Sequence, residues 1–203
     1  MNNQGKNLFE RALETKLVFG TRKSPNAIVF EDAVIIKRNF AGRDIHGKRS
    51  DGRPFVKQGR TFTLVLTEDM FNALCAEKGE CRYGIWNFDK EDPELKVYTV
   101  EVKLKMESNN PPSCTLYTTR NGKTDISVLN SANLGVLDEI YDVDIERVDI
   151  VVNPYDPEKT GHFTLWLRDL KLKQTAIEES NQFWDDLLKG DDELPFGDPN
   201  NEA

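Results

Sequence analysis

Apolar side chains recur at every second position in five separate stretches of this chain, and that period confines it to a fold built from strands. Ile28, Phe30, Val34 and Ile36 make the first set, Phe62, Leu64 and Leu66 the second, and Tyr98, Val100, Val102, Leu104 and Met106 the third. Val148, Ile150 and Val152 follow, then Phe163, Leu165 and Leu167. Successive side chains of a strand point to opposite faces, so each set predicts one buried and one solvated face in a predominantly antiparallel β domain. Helical spacing occurs twice. Leu8, Phe9, Ala12, Leu13 and Leu17 suit an amphipathic helix over residues 8–19 stopped by Gly20. Thr67 with Glu68 and Asp69 starts a second helix through Met70, Phe71, Leu74 and Cys75, ended by Gly79. Asn121-Gly122 marks a hairpin turn, Asn109 to Pro112 a rigid loop, and Asn153 to Pro157 a strand exit.

A chain of 203 residues is long enough to bury about 70% of its unfolded surface without staples. Apolar runs are no longer than that of Ala33 to Ile36, and no apolar N-terminal segment precedes a small-residue cleavage site, so the expectation is a cytoplasmic protein with no membrane contact. Cys75, Cys81 and Cys114 are odd in number and read as reduced thiols. Together with the isolated His46 and His162 they fit no structural metal spacing, and no phosphate-cradling glycine loop is present. No metal and no cofactor is expected.

Net charge is −8, but its distribution is uneven. Residues 1–60 hold 13 basic and 6 acidic side chains, whereas residues 178–203 hold 1 and 9. Lys37, Arg38, Arg43, Lys48, Arg49, Arg53, Lys57 and Arg60 face only Asp44 and Asp51, an imbalance that points to an anionic ligand such as phosphate. The last segment is acidic and rich in Asp, Asn, Gly and Pro, a composition that predicts a disordered tail.

Short strands, one helix after the early strands and long charged connections describe a small barrel, and the OB-fold is the barrel that commonly binds oligonucleotides. The expected fold is therefore mainly β, an OB-fold-like antiparallel barrel with one or two helices and a disordered acidic C-terminal tail. Three aromatic residues stand beside cations where bases could stack: Trp166 with Arg168, on the face opposite Phe163, Leu165 and Leu167; Trp86 with Arg82; and Phe40 between Arg38 and Arg43.

Ile28 to Ala33 leading into Arg38-Asn39-Phe40-Ala41-Gly42-Arg43 and a basic loop resembles the single-stranded-DNA-binding proteins of tailed bacteriophages. Asn110-Pro111-Pro112 running into Leu116-Tyr117-Thr118, the segment Val148 to Tyr155, and Gly161 to Leu172 resemble the same family in order and spacing. The resemblance covers about residues 28–174 and implies an OB-fold that coats single-stranded DNA during replication, recombination and repair, without catalysis and without sequence preference. The loop Asp44 to Arg60 is longer than that family's pattern. In the tail, Gly190-Asp191-Asp192-Glu193-Leu194-Pro195-Phe196 resembles the acidic tip of bacterial single-strand binding proteins, which implies docking of replication or recombination proteins; here Gly197 to Ala203 follow the Phe. Trp184, within Phe183 to Leu188, is a second candidate handle. The resulting division is an N-terminal arm or short helix at 1–24, a DNA-binding domain at 25–177 and a partner-binding tail at 178–203, with room for a homo-oligomer.

Two other readings stay open. Glu101-Val102-Lys103, preceded by Asp89 and Asp92, loosely resembles the core of restriction-type, metal-dependent nucleases, although Thr99, Glu101, Lys103 and Lys105 are also what any solvated strand face would carry. A non-catalytic β interaction module without nucleic-acid binding is the other.

Overall fold

The computed structural model describes residues 8–21, 24–48, 52–87 and 96–175. Helix α1 (Leu8–Glu14) leads into β1 (Lys16–Thr21), β2 (Ser24–Glu31) and β3 (Val34–Asn39). A small hairpin of β4 (Ile45–Lys48) and β5 (Pro54–Lys57) precedes β6 (Arg60–Leu66) and helix α2 (Glu68–Lys78). Then come β7 (Glu80–Cys81), β8 (Tyr83–Asn87), β9 (Lys96–Leu104), β10 (Ser113–Arg120) and β11 (Lys123–Leu129). The long β12 (Ile145–Tyr155) and β13 (His162–Gln174) end the described chain. The fold is mainly β, with two α-helices among the described residues. The expected tail, including Trp184 and Asp191, Asp192, Glu193, Leu194, Pro195 and Phe196, lies outside them.

Helix α2 forms where its capping signals place it: Thr67 Oγ1 accepts from the Met70 amide, and the Gly79 amide donates to Cys75 O. Helix α1 stops earlier than expected, and Leu17 and Phe19 lie on β1 instead. Their register, Leu17 to Phe30 and Phe19 to Ile28, packs both against the main core. A ladder with β2 satisfies this backbone, and Val18 and Phe19 favour a strand over a helix. Asn121-Gly122 makes the two-residue hairpin turn, both residues at positive φ (49° and 75°) between the paired Arg120 and Lys123. The expected strand exit at Asn153 comes later, because Asn153, Pro154 and Tyr155 still pair with β13.

The main sheet runs β1-β2-β12-β13-β9-β6-β3 and does not close into a barrel, which corrects the expectation. The interruption lies at Asp32, whose φ of 52° kinks the chain between β2 and β3. Strand β2 stays with β12 while β3 goes to β6, at the opposite end of the path. At the kink the Ala33 amide donates to Val148 O (2.7 Å) and the Asp32 amide to Asp149 Oδ1 (3.2 Å). Pairing is also less uniformly antiparallel than the alternation implies, since β13 runs parallel to β7, β9 and β10. Its length allows this. β12 covers one edge of β13, and a bulge at Arg168, between Leu167 and Asp169, separates the segment beside β9 from the segment beside β10.

One face of the sheet forms the main core, with Phe30, Phe62, Leu64, Val102 and Leu165 fully buried. Cys75, Cys81 and Cys114 are free thiols, and burial pushes Cys81 and Cys114 up to about 12. The opposite face of β3, β6 and β9 carries a second, smaller cluster in which Val34, Ile36, Val65 and Val97 pack against Ala12, Leu8 and Phe9 of α1. Helix α1 thus docks on the outside of the sheet. Among the described residues, no helix is long and apolar enough to cross a membrane.

Candidate functional site

Beyond the end of α1, the same outward face of β6 and β9 turns polar. Register places Val65 beside Thr99, Thr63 beside Glu101 and Thr61 beside Lys103. Across the next strand boundary Lys103 pairs with Trp166, and Trp166 with Asn153. Thr61, Thr63, Thr99, Glu101, Lys103 and Trp166 form the floor of a groove of about 1140 Å³. Gly84, opposite Thr99, adds backbone to the floor and no side chain.

The hairpin β4–β5 stands over this floor. It forms its own two-stranded sheet and contributes Phe55, Val56 and Lys57 to the groove. Phe55 packs its ring against Gly47 of the opposite strand; a Cβ at Gly47 would come within 2.6 Å of the ring, so a larger residue there would displace it. Asn39 holds the base of the hairpin. Its Nδ2 donates to Arg43 O (2.9 Å) and Gly59 O (3.1 Å), and its Oδ1 accepts from the Arg43 amide. Further out, the Lys57 ammonium donates to the Glu101 carboxylate on the floor.

Five cations line the groove: Lys37, Lys57, Arg60, Arg82 and Lys103. Glu101 is the only carboxylate lining it among the described residues. Such an excess in a concave surface concentrates anions. Lys37 enters through backbone distortion. It sits at φ 49°, within the register shift between Ile36 and Asn39, so a bulge re-aims it from the strand's alternation into the groove. Phe55 and Trp166 supply rings, Trp166 half-buried with Tyr155 edge-on at 6.5 Å. Tyr83 touches the groove edge, but it pairs with Val100 and turns its ring to the other face of the sheet, onto Phe71 and Tyr98 at 4.6 and 5.7 Å.

The sequence candidates divide sharply. Lys37, Lys57, Arg60, Arg82 and Trp166 come together in the groove. Phe40 does not. Its ring is fully buried, 5.6 Å from Phe62, because the Asp138 carboxylate accepts from the Phe40 and Ala41 amides (both 2.8 Å) and draws this turn into the core. Phe40 therefore offers no stacking face. Arg38 is committed to the scaffold: its guanidinium donates to Leu137 O (2.9 Å) and Ile140 O and pairs with Asp142 at 2.9 Å. Arg60 lines the groove, yet its guanidinium donates to Phe40 O (2.8 Å), Ser131 O (2.9 Å) and Glu107. That hydrogen bond holds the Glu107 carboxyl below its usual range.

Trp86 shares the outward face but pairs with Val97, at the α1 end, and does not line the groove. Arg43, Lys48 and Arg53 are exposed away from the groove lining, and Arg49 lies outside the described residues. Arg168, displaced by its bulge, donates to Ser24 Oγ. Asp89 and Asp92, needed for the nuclease reading, also lie outside the described residues, and Glu101 is ion-paired to Lys57.

Sequence reasoning missed Phe55, Asn39 and the groove role of Lys103. Lys103 was visible as part of a polar face; what alternation alone could not give was that Trp166 is its neighbour.

No family model and no curated relative matches the chain. Among solved structures it is similar to the single-stranded DNA-binding protein from bacteriophage Enc34 in complex with ssDNA, with a TM-score of 0.38 and 14% identity over 78% of this chain and 96% of that one. A second structure of the single-stranded DNA-binding protein from bacteriophage Enc34 gives the same TM-score and identity over 90% of its chain, and its C-terminal truncation gives 0.36 over 95%. Similarity at this level leaves the groove's own residues as the basis for assigning a role.

Proposed function

We propose that this protein binds single-stranded DNA without sequence preference and without turnover, in the groove between the β4–β5 hairpin and the floor of β6, β9 and β13. The observation that carries the reading is the convergence of cations with Trp166 and Phe55 in one concave surface. Cations follow the phosphates, and rings accept bases of any identity because every base has a π face. The threonines of the floor supply neutral hydroxyls and no base-specific pattern. On this reading residues 25–177 protect exposed strands during phage DNA replication, recombination and repair, and the acidic segment 178–203 recruits replication or recombination proteins through Trp184 and Asp191 to Phe196. The sequence resemblance supports those roles.

The test is titration of a fluorescent oligo-dT at several salt concentrations with duplex as competitor. If the groove neutralises about four phosphates, the logarithm of affinity falls with the logarithm of salt at a slope of about −3. Failure to bind the oligomer, or binding that ignores salt, overturns the proposal. Shortening of the oligomer in Mg²⁺, abolished by Glu101→Gln, would replace it with the nuclease reading.

A further inference from the structure

We propose that Glu101 is a stand-in for DNA phosphate: it holds Lys57, and through Lys57 the β4–β5 hairpin, over the empty groove until a strand takes Lys57 over. The inference rests on the binding role proposed for the groove and adds how that groove is kept ready.

Three observations converge. Among the described residues the hairpin is a two-stranded sheet with no ladder to the main sheet, and such a hairpin is marginal by itself. Its side-chain ties include Asn39 at the base and the Lys57–Glu101 pair across the groove. Glu101 is also chemically out of place. It occupies the centre of the floor, between Thr63 and the row of Lys103 and Trp166, where every other charged lining residue is a cation. A carboxylate in the path of a polyanion weakens binding, so its presence calls for a compensating role.

Its geometry supplies one. Lys57 and Glu101 are 35% and 36% exposed, so their pairing is the solvent-screened kind that contributes little and exchanges readily. A phosphate oxygen offers Lys57 an equivalent charge-assisted bond. Exchange leaves Glu101 facing the bound strand, which lowers affinity; in return the unbound hairpin is already positioned, and less ordering is left to the binding step. Glu101 is thus a positioning residue.

The experiment uses the full-length chain, Glu101→Gln and Lys57→Gln, each checked for a native melting transition, with two readouts. Amide exchange over residues 54–57 without DNA is expected to be several-fold faster in both variants than in wild type. In the oligo-dT titration, Glu101→Gln is expected to bind about three- to tenfold more tightly than wild type near 50 mM salt, with the gain shrinking as salt rises, whereas Lys57→Gln binds more weakly. Unchanged exchange in Glu101→Gln overturns the latch whatever the affinities. Equal or weaker oligomer binding by Glu101→Gln, with wild type binding, overturns the exchange with phosphate. Absence of binding by wild type refutes the proposed function and, with it, the exchange with phosphate; the amide arm then still decides whether Glu101 holds the hairpin.

Discussion

The outward face of β3, β6 and β9 is one continuous surface with two opposite fates. Toward one end Val34, Ile36, Val65 and Val97 point out and are covered by α1. Toward the other the same strands present Thr61, Thr63, Glu101 and Lys103, with Lys37 brought in by the bulge, and a groove lies over them. Alternation places all of these residues except Lys37 on the same side, so residue type decides what happens next. Apolar outward side chains recruit a helix because leaving them in water costs about 1.5–3 kcal/mol for each large one. Polar and cationic ones cannot recruit a protein cover at that gain and stay available to a ligand. The basic segment splits along the same line. Arg38 is consumed by carbonyls of the 3-10 turn Leu134–Asp138 and the loop after it, while its neighbour Lys37 faces the groove.

Substitutions can break or sharpen this contrast, and the largest effect is expected from Arg38→Ala. It strands the carbonyls of Leu137 and Ile140 and the Asp142 carboxylate, and should cost about 3 kcal/mol in denaturant unfolding while oligo-dT affinity of the folded protein stays unchanged. Trp166→Ala should do the reverse, weakening oligomer binding by about 1–3 kcal/mol, read by titration, with a smaller loss of stability. Equal loss of affinity in both variants would erase the distinction between scaffold and groove. Under α1, Val65→Thr introduces a hydroxyl into the dry half of the face and should cost about 1–2 kcal/mol of stability with binding intact.

Lys37→Gly separates the two roles at one position. Relief of the left-handed backbone should raise stability by about 1 kcal/mol, while loss of one groove cation should make the salt slope shallower by about 0.7. The smallest effect is in acid. Hydrogen bonds from Lys96 and Tyr98 hold Glu68 below its ordinary value, as Arg60 does for Glu107. Both contributions are therefore complete above the ordinary carboxylate range and fade as pH falls through the lowered values, so Glu68→Gln and Glu107→Gln should flatten the acid limb of a stability profile.

Much of the scaffold was legible in the sequence because it rests on local chemistry. Period two located the core strands, Thr67 and Gly79 bounded α2, and Asn121-Gly122 turned the hairpin. What failed depends on distant partners. Leu17 and Phe19 became strand residues because β2 was there to pair with them, and the barrel stayed open because Asp32 kinks the chain between β2 and β3. The site shows the same limit. Trp166 was readable as an indole on a polar face, but Phe40, flanked by arginines, carries no local mark that Asp138, far along the chain, draws its turn inward. Phe55 looks unremarkable until packing on Gly47 sets its ring at the groove wall.

Photochemical crosslinking of a bromodeoxyuridine oligomer, followed by peptide mapping, interrogates the groove directly. Crosslinks are expected on Trp166 and Phe55 and should disappear in Trp166→Ala at the first of these positions only. Crosslinks confined to exposed rings elsewhere, such as Tyr141, or a pattern unchanged by competing unlabelled strand, would contradict the groove as the seat of binding.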